Sequence, residues 1–149
     1  MKTLYLAYGS NLNLEQMKRR CPTAKKVGTA ILEDYKLTFN GGYKSAVATI
    51  KPYKGSTVPV LIWELEKEDE AALDRYEGWP RLYRKETLQV MLNGKRTDVM
   101  AYIMNDVYPT NEPSVYYYST IRKGYKDNGL DIKILDKAVD EVIGVYLNV

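Results

Sequence analysis

The chain has no histidine, one cysteine and one phenylalanine among its 149 residues. Without histidine there is no Ser-His or Cys-His nucleophile pair and no histidine-ligated metal. A lone Cys21 makes neither an internal disulfide nor a multi-cysteine zinc or iron–sulfur site. At a helix end before Pro22 it reads as a small, partly buried thiol. Proton transfer is left to Asp, Glu, Lys, Tyr or backbone, and the chain is expected to use no metal and no cofactor. No stretch approaches the roughly 18 apolar residues of a membrane span, and Met1-Lys2-Thr3-Leu4 does not open an export signal. A cytoplasmic protein with no membrane partner is the expectation. The net charge of +3 is small, and Lys18-Arg19-Arg20 and Lys25-Lys26 are flanked by acidic segments. These basic residues read as solvated surface rather than a nucleic-acid site.

A hydrophobic fraction of 45% and a charged fraction of 28% suit one soluble domain over residues 1–149. The oddity is 14 tyrosines against a single phenylalanine. A buried tyrosine brings a hydroxyl that wants a partner, so such rings either line a pocket or simply replace Phe in the core.

Patterning predicts a strand over Thr3 to Tyr8 and a helix over Leu14 to Arg20. Strands are expected at Val27–Leu32, Tyr35–Phe39, Ala46–Ile50 and Val58–Leu65, the last two parted by Pro52, Gly55 and Pro59. Glu66 to Tyr76 reads as a helix closed by Gly78 as a left-handed cap, with Pro80 preventing its resumption. Tyr83–Leu92 and Arg96–Met104 alternate around Asn93-Gly94, a hairpin signal. Two further helices open at Pro113-Ser114 and near Ile132, the last reaching about Tyr146. Strands in runs with helices gathered at the end predict an α+β domain with a mixed, curved or barrel-like sheet.

The segment Tyr8-Gly9-Ser10-Asn11-Leu12 joins the first strand to the first helix. Gly9 permits a tight turn, and Asn13 can cap the helix with Gln16 as its capping-box partner. Backbone N–H groups exposed at such a place can hold a carboxylate or a developing oxyanion. On these residues alone, a purely structural turn serves equally well.

A second segment, Leu73-Asp74-Arg75-Tyr76-Glu77-Gly78, follows a strand carrying Leu61-Ile62-Trp63. Together with Tyr-Gly-Ser-Asn-Leu at the start, it resembles the γ-glutamylcyclotransferase-like family, which includes the γ-glutamylamine cyclotransferases and the butirosin-pathway cyclotransferase. Ala48-Thr49-Ile50, Tyr83, Tyr117 and Gly124 to Leu130 are similar to family positions as well. One departure is Val58-Pro59-Val60, where the family commonly has Val-x-Gly. A larger side chain there alters strand packing or narrows a pocket wall.

The resemblance implies an enzyme that cyclises a γ-glutamyl amine or amide to 5-oxoproline and frees the amine. The attack is internal, so the enzyme chiefly fixes a folded-back conformer. Glu77 is the expected general acid/base. The negative end of its helix, and burial near Trp79, would push its pKa upward. Tyr8, Gly9, Ser10, Asn11 and Leu12 are expected to cradle the glutamyl head and the polarised carbonyl. Tyr83 and Tyr117 are expected to contact substrate from opposite walls, unless they are core tyrosines. Asp74 is expected to face water, and Ser10 has no histidine to make it a nucleophile. The rival of a different class is a non-catalytic small-molecule binding module on the same fold. Nothing in the sequence sets the oligomeric state.

Overall fold

The hairpin at Asn93-Gly94 turns as its residues require. Both have positive φ, +52° and +78°, and close β4 (Tyr83–Leu92) directly onto β5 (Lys95–Met104). The computed structural model describes the backbone of residues 2–147 and the side chains as far as Ile143. Its remaining elements are β1 (Thr3–Ala7), a 3-10 turn (Ser10–Leu12), α1 (Leu14–Arg20), β2 (Lys25–Asn40), β3 (Val47–Leu65), α2 (Lys67–Tyr76), α3 (Val115–Asp127) and α4 (Ile132–Leu147).

The five strands form one mixed sheet in the order β2-β3-β1-β5-β4. β1 runs parallel to β5 and antiparallel to β3, and the outer pairs are antiparallel. The edge strands β2 and β4 approach without pairing: a Cβ added at Gly28 would sit 3.7 Å from Leu92 Cδ1. The sheet curls but does not close.

Sequence patterning split β2 and β3 into two strands each, and here it needs correction. Each is one long strand, with register shifts at Lys26/Gly28 and Glu33/Tyr35 instead of breaks. Asp34 takes φ +63° at the second shift, and its Oδ1 accepts the Gly55 N–H at 2.9 Å across the ladder. Pro52 and Pro59 are tolerated because β1 takes up only Leu61–Leu65 of β3. Over the rest of its length β3 has β2 on one side, so a missing N–H on the other costs no ladder bond.

The core holds Leu6, Leu12, Phe39, Ile62, Leu73, Ile121, Tyr125 and Leu135, all fully buried. Each large apolar side chain so placed contributes on the order of 1.5–3 kcal/mol against exposure. Val60 is among these core residues, opposite Ala30 on β2, so the departure from the family pattern is absorbed in sheet packing. α3 lies on the 3-10 turn through Gly124, where an added Cβ would fall 2.6 Å from Leu12 C and 2.7 Å from Asn13 N. Only glycine fits that crossing.

The helix caps follow the chain's polar residues. Asn13 Oδ1 accepts the Gln16 N–H at 3.0 Å, but the Gln16 side chain turns to Arg20 instead of back to Asn13, so the expected capping box is half made. The complete box is at α2, between Glu66 and Asp69. α3 starts on Ser114, whose Oγ accepts the Tyr117 N–H, and stops at Gly129 with φ +67°. No helix among the described residues is long and apolar enough to cross a membrane.

Candidate active site

α2 brings Glu77 to the site by the way it ends. Leu73 anchors the helix in the core, and Glu77 is its C-cap. Gly78, at φ +65°, reverses the chain: its N–H donates to Arg75 O at 3.3 Å and the Trp79 N–H to Asp74 O at 2.9 Å. This Schellman pair satisfies the last carbonyls and leaves Glu77 on the inner side of the turn. Its carboxylate faces a cavity of about 220 Å³.

The opposite wall is the end of β1. Tyr8, Gly9, Ser10 and Asn11 all line the cavity. Gly9 sits at φ −123° and ψ −129°, and its surroundings leave little space for a side chain. A Cβ there would lie 3.2 Å from Ala48 Cβ and 3.5 Å from the Tyr117 hydroxyl. The 3-10 turn uses the Leu12 and Asn13 N–H groups in bonds to Gly9 O and Ser10 O, both 3.0 Å. The N–H groups of its first residues have no partner within the turn. Asn11 is held on three sides: Trp63 Nε1 donates to its carbonyl at 3.2 Å, its own Nδ2 donates to the Tyr5 hydroxyl at 2.9 Å, and Arg20 Nη1 donates to its Oδ1 at 2.7 Å.

Two expectations about this segment are corrected. Leu12 does not line the cavity; its side chain is fully buried in the core, and its carbonyl accepts Asn128 Nδ2 at 2.8 Å. The start of α1 does not supply the donors either, because Asn13 is buried, caps its own helix and donates to Thr120 O at 3.0 Å. The 3-10 turn takes that place.

Tyrosines build most of the remaining wall. Tyr83 and Tyr117 grip the same residue from two directions: Tyr83 donates to Ala48 O at 2.6 Å, and Tyr117 accepts the Ala48 N–H at 3.0 Å. Tyr8 donates to Tyr102 O at 2.5 Å, and Tyr102 donates to Asp74 Oδ1 at 2.6 Å. Among the described residues, the hydroxyl protons of Tyr5 and Tyr117 have no acceptor. Burial first holds the phenols of Tyr5, Tyr8 and Tyr83 well above their ordinary pKa, followed by Glu77 for Tyr5 and Tyr8 and by the neighbouring phenols Tyr8 and Tyr117 for Tyr83. Burial likewise raises Tyr117 and Tyr102. The cavity therefore offers neutral O–H groups and one carboxyl.

That carboxyl is unusual. Although part of Glu77 remains accessible, burial pushes its pKa up to about 7, against a weaker opposing pull from Arg20. No hydrogen bond or ion pair reaches it among the described residues. Trp79, expected beside it, does not line the cavity: the residue is 44% exposed, with the Lys85 ammonium 4.3 Å from its ring centroid.

Other residues stand differently from expectation. Asp74 faces Tyr102 and Lys85, with Lys85 Nζ at 2.8 Å from its Oδ1, and not water. Arg20, read as solvated surface, reaches the site. Cys21 is buried, and burial raises its thiol to about 12, so it is not a nucleophile. Tyr5, Val47, Leu82 and Tyr102 line the cavity without having been singled out, and Tyr76 and Ala48, named only as parts of motifs, line it too. For the tyrosines the one further signal was their excess over phenylalanine. No group of three or more His, Cys, Asp and Glu among the described residues is placed to hold a metal ion.

The family model for γ-glutamyl cyclotransferase, AIG2-like proteins matches residues 5–124, a span that contains both motifs. The chain belongs to this family. Over 143 residues it is 32% identical to the γ-glutamylcyclotransferase of Homo sapiens, an alignment covering 90% of this chain and 76% of that relative. The solved structure of a γ-glutamyl cyclotransferase superimposes with a TM-score of 0.83 at 31% identity, over 93% of this chain and 86% of the other. An AIG2-like protein from Mus musculus, 22% identical, shares the fold with a TM-score of 0.59 over 69% of this chain and 77% of its own. The chain is thus an enzyme of the γ-glutamylcyclotransferase class. Its cavity can accept an ammonium at Glu77 and offer O–H and N–H donors to oxygen atoms opposite.

Proposed function

We propose that this enzyme converts a γ-glutamyl amine or amide into 5-oxoproline and a free amine, with Glu77 as general acid/base. The observation that carries this reading is a carboxyl bound by no donor among the described residues, facing a cavity of otherwise neutral groups, with its pKa near 7. Such a group is divided between base and acid at neutral pH, where general acid–base catalysis works best.

Glu77 first takes a proton from the substrate's α-ammonium, because an ammonium has no lone pair. The freed amine attacks the γ-carbonyl carbon, and a C–N bond forms as the ring closes. The carbonyl electrons move onto oxygen and are stabilised by N–H groups of the Tyr8–Asn11 segment and by tyrosine hydroxyls. Glu77 then protonates the departing nitrogen, the carbonyl re-forms as the old C–N bond breaks, and the same carboxylate takes the second proton from the ring nitrogen and passes it to the amine, which leaves as an ammonium. No water is consumed. Tyr117 still has its proton to donate to substrate, while Tyr83 has spent its proton on Ala48 O and can only accept. The small cavity holds the folded-back conformer, a source of up to roughly 7–11 kcal/mol in well-oriented internal reactions.

The test is 5-oxoproline release from a panel of γ-glutamyl amines, γ-glutamyl amino acids and ε-(γ-glutamyl)-lysine. A matching set acetylated on the α-nitrogen is run beside it. Free substrates should yield 5-oxoproline and acetylated ones nothing. N-acetylglutamate released from an acetylated substrate would mean hydrolysis, and the cyclisation reading would fall.

A further inference from the structure

Arg20 is the last residue of α1, and its side chain turns back toward the cavity. Nη1 donates to Asn11 Oδ1 at 2.7 Å, in the cradle; Nη2 donates to the Tyr76 hydroxyl at 2.8 Å, on the residue before Glu77. Gln16 receives a further bond from Nη2, and the guanidinium carbon lies 3.7 Å from the centroid of the Tyr76 ring. The Tyr76 hydroxyl also meets Ser10 Oγ at 3.2 Å. One cation therefore touches both walls of the site.

We propose that Arg20 is a positioning residue, clamping the Ser10–Leu12 turn onto the Tyr76–Gly78 turn so that cradle and carboxylate are held as one unit. The inference rests on the reading of Glu77 as the base. The planar fork suits the role, because three acceptors and a ring face are satisfied by one rigid group; an ammonium gives the charge without the fork.

The clamp also sets the electrostatics of the carboxyl. Tyr5 from β1, Tyr8 from the strand's end, Tyr83 from β4, Tyr102 from β5 and Tyr117 from α3 face the cavity with Glu77. All are phenols kept neutral by burial. Beyond Tyr102, Lys85 is ion-paired with both Glu70 and Asp74. Arg20 is left as the charge that favours the ionised form of Glu77. Its removal should raise the Glu77 midpoint and lower the fraction of base at pH 7.

The experiment compares Arg20→Gln and Arg20→Lys in the full chain. Each is assayed for kcat/KM and KM across pH, and Glu77 is followed by NMR titration of ¹³C-labelled glutamate. In Arg20→Gln the Glu77 midpoint should rise by about half a pH unit or more, and the pH–rate profile should move with it. KM should increase about 10-fold, the scale of a lost charged hydrogen bond, with partial recovery in added guanidinium. Arg20→Lys should keep the midpoint near that of the parent and show the KM increase. Parent-like KM and midpoint in Arg20→Gln would overturn the clamp while leaving the Glu77 reading intact. A midpoint that moves without the rate profile would uphold the clamp and remove Glu77 as the base. If Arg20→Gln does not fold, parent-like KM in Arg20→Lys overturns the inference.

Discussion

Helix α2 treats the acids at its two ends in opposite ways. Asp69, in the first turn, is 2% exposed and fully engaged: both carboxylate oxygens accept the Thr23 hydroxyl at 2.8 Å, and Oδ2 takes the Glu66 N–H at 2.9 Å. Glu77, past the last turn, has no donor among the described residues and a pKa raised to about 7 by burial. Asp69 lies at the positive end of the helix, where a carboxylate stabilises; Glu77 lies at the negative end, where it does not. One carboxylate holds the fold together, and the other is kept poised at a cost in stability.

Replacing each acid sharpens this contrast. Glu77→Gln should lose on the order of 10²–10⁴-fold in kcat for 5-oxoproline release while folding normally. Turnover near that of the parent would place the base elsewhere. Asp69→Ala should do the reverse. Loss of the cap and the Thr23 contact should cost about 2–3 kcal/mol in urea denaturation, with kcat per folded molecule unchanged.

The pH dependence of stability separates the two further. The folded pKa of Glu77, about 7, lies above its ordinary 4.5, so the folded state holds the proton more tightly. Its contribution is fully present below about 4.5 and is lost as pH rises through 7. Glu77→Gln should therefore be the more stable protein at pH 8, by on the order of 1–3 kcal/mol, with the advantage vanishing toward pH 4. An advantage independent of pH would assign the gain to packing. The smallest effect concerns the wall: Tyr117→Phe orphans the Ala48 N–H and removes a donor, and should raise KM several-fold with less change in kcat.

The same contrast shows what a sequence discloses. The helix end that carries Glu77 was legible in Gly78 and Pro80, whereas the role proposed for Glu77 came from the resemblance of the two motifs to the family. The long strands were not legible, because Pro52, Gly55 and Pro59 normally break strands, and only the pairing shows that one edge there is free of β1. Asp74 was misread because its partners, Tyr102 and Lys85, come from other strands. Arg20 hid within Lys18-Arg19-Arg20, which composition reads as solvent-facing. Its one clue was helical spacing: Met17, three positions earlier, is fully buried, so Arg20 shares the inward face. The tyrosines announced themselves by number but not by place, since alternation along a strand does not say which buried ring borders a cavity.

The crossing at Gly124 has a consequence for how the enzyme comes into being. The Tyr8–Leu12 segment precedes α3 in the chain, yet its turn rests on that helix and is tied by Asn128. Until that helix docks, the early motif has nothing to press against, and Tyr117 cannot reach Ala48. A nascent chain carrying both motifs but not yet α3 would hold the reactive carboxyl without an organised place for substrate. Activity should therefore appear in refolding only once α3 has docked on the turn.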